Sequence, residues 1–108
     1  MQKVKKEVEI TEISRTFGRP YMSRHELSKV FNMSANAVDA RIAELREEIE
    51  QGRYSEFAFI KDGGFVFVNT LAWIDFMKHH ERLKEKNLRK NVPVFEPRKI
   101  AEQIGWYR

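Results

Sequence analysis

The stretch Ser23-Arg24-His25-Glu26-Leu27-Ser28-Lys29-Val30-Phe31-Asn32-Met33-Ser34-Ala35-Asn36-Ala37-Val38 decides the fold. It opens with a capping box, in which the Ser23 hydroxyl takes the Glu26 amide and the Glu26 carboxylate reaches back to the Ser23 amide. The helix so started carries Leu27, Val30 and Phe31 on one stripe and stops at Asn32, a residue that tolerates the left-handed backbone. Ser34 caps a second helix, where Val38, Ile42, Leu45 and Ile49 recur at amphipathic spacing until Gly52 ends it. Leu27, Phe31 and Val38 fall where two crossing helices share a core. Ser28 is small at the crossing, Asn32 makes the turn and Met33 plugs the corner.

Beyond this pair the period changes from helical to two. Glu56-Phe57-Ala58-Phe59-Ile60 and Phe65-Val66-Phe67-Val68-Asn69 flank Lys61-Asp62-Gly63-Gly64, which predicts a two-stranded β-hairpin. Both faces of the hairpin are apolar, so one packs on the helices and something else must cover the other. Asn69 or Thr70 caps a third helix with Trp73, Ile74, Met77 and Leu83 inward, running into a basic stretch from Lys78 to Lys90. Val92-Pro93-Val94-Phe95 follows, then a short helix from Pro97 that Gly105 terminates. Residues 92–106 carry too many apolar groups for a solvated tail, and we expect them to dock on the outer hairpin face or on a neighbouring molecule. At the other end, Val8 and Ile10 alternate as in a strand, while Ile10, Ile13 and Phe17 are spaced as on a helix. We expect a short helix ending near Phe17, broken by Gly18-Arg19-Pro20. The organisation expected is an N-terminal extension at 1–20, a domain at 21–90 and a docking tail at 91–108.

With 108 residues, 42% hydrophobic and 33% charged, the chain is one folded domain. No apolar run is long enough for a membrane helix, and the charged start carries no signal-peptide core. The absence of cysteine excludes disulfides and thiolate metal sites and suits a reducing cytoplasm, the location we expect. Net charge is +4, with seven basic and four acidic residues in 1–34 and nine against four in 78–108. Between them residues 35–50 hold Arg41 and Arg46 against Asp39, Glu44, Glu47, Glu48 and Glu50, so the basic surface comes from the two ends. No glycine-rich phosphate loop and no Ser–His–acid set is present, so no enzyme and no cofactor are expected. His79 and His80 diverge by roughly 100° on a helix and cannot chelate together, and no metal is expected.

Helix, tight turn, helix, hairpin, helix is the order of a small α+β winged helix-turn-helix with terminal helical extensions. Ala35, Asn36, Asp39 and Ala40, early on the second helix, would face the major groove. Asn36 can read an adenine edge, and Arg41 or Arg46 can reach a guanine or a phosphate. Arg24 completes the expected DNA-facing set. The aromatic residues Phe57, Phe59, Phe65, Phe67, Trp73 and Phe76 read as core rather than as a stacking platform.

Residues from about 21 to 77 resemble the excisionase-type winged-helix domains of phages and mobile elements, relatives of the MerR-like DNA-binding domain. The likeness rests on Tyr21-Met22-Ser23-Arg24-His25-Glu26-Leu27 as a short strand leading into the first helix, and on Phe31-Asn32-Met33-Ser34 as the turn into serine. It continues through Val66-Phe67-Val68-Asn69 after a glycine-tipped wing into Leu71-Ala72-Trp73-Ile74-Asp75-Phe76. The resemblance implies a double-stranded-DNA-binding protein that bends its site and biases a recombinase toward excision. It implies that Asn36, Asp39, Ala40 and Arg41 lie toward bases and Lys61 toward phosphate or minor groove. A recombinase, or another copy of the chain reached through the tail, is the implied partner. Two features depart from the family pattern: the second helix is long and acidic in its C-terminal half, and Lys61 stands beside Asp62. Transcriptional regulation of the same element, or a protein-interaction module without DNA binding, are the alternative readings.

Overall fold

A computed structural model describes residues 20–106. Within them the order is β1 (Tyr21–Ser23), α1 (Arg24–Val30), α2 (Ala35–Glu50), a 3-10 turn (Glu56–Ala58), β2 (Phe59–Asp62), β3 (Phe65–Asn69), α3 (Thr70–Leu83), α4 (Lys86–Arg89) and α5 (Pro97–Gln103). The described residues thus form an α+β domain with a three-stranded antiparallel sheet, ordered β1-β3-β2. The helix expected to end near Phe17 lies outside the described residues. No helix among the described residues is long and apolar enough to cross a membrane.

The caps form as the sequence requires. Ser23 and Glu26 make the reciprocal capping box, and Ser34 and Asn69 accept from Ala37 and Ala72 to start α2 and α3. Between α1 and α2 the chain reverses at Asn32, whose φ is +53°. The Ser28 hydroxyl donates to the Met33 carbonyl at 2.6 Å and the Met33 amide to Ser28 O at 3.0 Å, closing the turn from both sides. Leu27, Val38, Ile42 and Leu45 are buried at the crossing, joined by Met22, Val68, Trp73 and Phe76.

Two corrections concern the sheet. The hairpin is not two-stranded, because Tyr21, Met22 and Ser23 pair with Asn69, Val68 and Phe67 and give β3 a neighbour on each side. The first strand begins at Phe59 rather than Glu56, since Ser55 caps a 3-10 turn that buries Ala58 and leaves Phe57 exposed. Directly opposed residues share a face. Phe59, Lys61, Val66, Val68 and Met22 therefore face the helices, and Ile60, Asp62, Phe65, Phe67 and Tyr21 face outward. The third helix also stops sooner than the basic stretch suggests, at Leu83, and α4 is a separate turn.

The tail docks, but not on the outer face of the sheet. Its α5 lies against α3, Ala101 is buried, and the Phe95 ring meets Tyr54 edge-on at 4.9 Å. Val92, Ile104 and Trp106 pack on the same core. Gly105 ends α5 at φ +78°, the left-handed cap a glycine adopts without strain.

Candidate nucleic-acid interface

The face of α2 directed away from the core carries Asn36, Asp39, Ala40, Ala43 and Arg46, all exposed. Asp39 and Arg46 lie two turns apart along it, an arrangement set by the helical period once Val38, Ile42 and Leu45 are buried. The inward face of the hairpin stands opposite. Between them runs a groove of about 350 Å³ lined by Arg24, Asp39, Arg46, Phe59, Lys61 and the Gly63-Gly64 turn, with Ile42 and Val66 at its floor. Four of the expected residues, Arg24, Asp39, Arg46 and Lys61, thus meet in one place from three elements.

Each side chain is positioned differently. Arg24 opens α1, and its Nη1 lies 3.2 Å from Asp39 Oδ1, with both side chains half exposed. The Arg46 guanidinium sits over the Phe59 ring at 4.8 Å from its centroid, so that the ring orders it while its donors stay available. Lys61 enters the groove from β2, whereas its neighbour Asp62, one residue along the strand, points to the other face beside Phe65. The acid adjacent in sequence is therefore not in the groove. Asp39 is the one acidic residue among the described residues lining it.

Arg41 does not join them. It lies roughly 200° around α2 from Asp39, where its Nη1 is 3.0 Å from Glu44 Oε1. Glu44 also holds Lys84 Nζ at 3.4 Å, and Glu48 is buried against Arg89, at distances of 2.6 and 2.8 Å. That hydrogen-bonded pair raises the Arg89 pKa. Glu44 and Glu48 are thus turned to α3 and α4 and paired there, while Glu47 stays exposed. Glu50, exposed one turn beyond Arg46, bounds the basic surface.

Sequence reasoning missed Phe59 as the platform under Arg46 and the hydrophobic floor of the groove. The strand alternation that puts Phe59 and Lys61 on one side was the signal that could have found both. It also missed a buried polar cluster behind α2. The Asp75 carboxylate accepts from Tyr54 Oη at 2.5 Å and from Arg53 Nε and Nη2 at 3.1 and 2.8 Å. No group of three or more metal-ligating side chains occurs among the described residues. Comparison with protein-family models, curated proteins and solved structures gives no match.

Proposed function

We propose that the chain binds double-stranded DNA as a winged helix-turn-helix, with α2 directed to the major groove and the β2–β3 hairpin as its wing. The observation that carries this reading is the groove in which Arg24, Arg46 and Lys61 converge around Asp39, the one carboxylate among the described residues that line it. Cations on two walls of one groove concentrate positive charge where a phosphate backbone can lie, which scattered surface lysines would not do. Asn36 and Ala40, exposed on the same helix, are left for base edges. The resemblance of residues 21–77 supports an excisionase-like architectural role in a phage or mobile element, with a recombinase or a second copy as partner. Transcriptional control of the same element uses the same contacts, and the position of the bound site, at a recombination junction or at a promoter, distinguishes the two.

Ile60 and Phe65, exposed on the outer sheet face, and Phe57, exposed in the turn before β2, favour a second reading, a protein-interaction module. Titration of a random-sequence duplex pool at increasing salt separates them. DNA binding requires affinity to fall at least roughly tenfold between about 50 and 200 mM salt. Absence of any duplex complex at the lower salt overturns the DNA reading. Asn36→Ala is expected to cost roughly 1–3 kcal/mol on a selected site if it reads a base.

A further inference from the structure

We infer that Arg24 and Asp39 act as one unit that reads a guanine, with Asp39 setting the plane of the guanidinium and Arg24 making the base contact. The inference rests on the DNA reading above and adds a specificity determinant to it. Arg24 stands at the first position of α1 and Asp39 on the exposed face of α2, so their 3.2 Å contact spans the turn between the helices. Among the described residues Asp39 is the hydrogen-bond partner of the Arg24 guanidinium. The pair forms a ridge between two hollows: the groove facing the hairpin, and a second one of about 250 Å³ that includes His25, Ser28 and Ala35.

The chemistry follows from the shape of the guanidinium. Its five N–H groups lie in one plane, and the contact to Asp39 engages Nη1. The Nε–Nη2 edge then presents two parallel donors, which is the pattern that guanine O6 and N7 accept. An unsupported arginine sweeps many rotamers, and ordering it costs free energy at each contact. A carboxylate that fixes the plane beforehand converts a diffuse cation into a directed pair of donors. It also lowers the attraction of that cation for phosphate in general. Among the described residues Arg46, held over a ring, and Lys61, on the hairpin, have no carboxylate partner in the groove, and they are left for the backbone.

The test is selection of bound duplexes from a random pool by the parent chain and by Arg24→Ala, Arg24→Lys and Asp39→Asn, with melting curves confirming that each variant folds. The parent should enrich guanine at one position by roughly five- to 150-fold. Both Arg24 variants should flatten that position, since lysine presents a point charge rather than a paired edge. Asp39→Asn should reduce the preference at the same position while strengthening binding to unselected duplex. If Asp39→Asn tightens binding without changing preference anywhere, Asp39 is only an electrostatic brake and the inference fails. Uniform weakening by Arg24→Ala across all sequences makes Arg24 a phosphate contact and also overturns it. A parent chain that binds no duplex removes the DNA reading itself, a result distinct from either.

Discussion

Asp75 is a buried carboxylate, and its three donors explain how it is tolerated. The Arg53 and Asp75 side chains are only 8% and 5% exposed, so neither is stable there alone. Burial, with the phenol donating a hydrogen bond to the adjacent carboxylate, drives the Tyr54 phenol far above its ordinary pKa and keeps it a neutral donor. Asp75→Ala strands a guanidinium and a phenol, and chemical denaturation should show a loss of about 3–5 kcal/mol. A loss below about 1 kcal/mol would show the cluster to be dispensable. Next to it, burial lowers the pKa of His79; Asp75 opposes this, and Arg53, Lys78 and Arg82 reinforce it. Burial likewise lowers that of His80, with Arg41 and Lys84 acting in the same direction and Glu44 and Glu81 against it. Both imidazoles are therefore more easily protonated in the unfolded chain. Stability should be complete above the ordinary histidine pKa of about 6.5 and decline as pH falls through it. Denaturation midpoints at pH 7.5 and 5.5 should differ less in His79→Gln/His80→Gln than in the parent, and an equal difference would contradict the assignment.

The hairpin shows at the level of elements what one residue fixes. Gly63 has φ +59°, as the first central residue of a II′ turn requires, and a Cβ there would meet nothing within 4 Å. Gly63→Val should thus cost about 1–2 kcal/mol through backbone conformation alone, with Gly63→Asn closer to the parent. Equal melting of all three would contradict the turn assignment. This turn and the α1–α2 pair were readable in the sequence because their signals are local: a cap, a left-handed residue and a serine within a dozen positions. The third strand was not readable from periodicity, since Tyr21-Met22-Ser23 is too short to show a period, and only the resemblance implied it. The 3-10 turn at Glu56–Ala58 alternates like a strand, so patterning merged it with β2. Arg41 was grouped with Asp39 and Ala40 by the resemblance, though helical rotation sends it to Glu44. Arg53 and Asp75 are 22 residues apart and carry no local pattern that joins them. Within the candidate site, Arg24, Asp39, Arg46 and Lys61 were legible as surface residues, whereas their convergence depended on how the hairpin packs.

At the scale of the molecule, the tail completes the core and the charge is sorted by face. Phe95 covers Tyr54, Ala101 is buried, and Val92, Ile104 and Trp106 pack alongside. Truncation after Asn91 should lower the melting temperature of the monomer, with a loss of roughly 2–4 kcal/mol from the apolar surface uncovered. Unchanged melting would contradict docking on α3. Glu44 and Glu48 of α2 are held by Arg41, Lys84 and Arg89 on one side. The groove on the other side keeps Arg24, Arg46 and Lys61 around Asp39. This sorting, rather than the net charge of +4, is what the DNA reading depends on. The most direct measurement is the salt dependence of duplex affinity for the parent and for Arg46→Gln/Lys61→Gln, with Lys99→Gln as control, Lys99 being an α5 residue that pairs with Glu96 just ahead of the helix. The account predicts that the double variant reduces the slope of log affinity against log salt by roughly 1.8, about 0.9 for each phosphate no longer neutralised, while the control leaves it unchanged. Equal slopes in the parent and the double variant would contradict it.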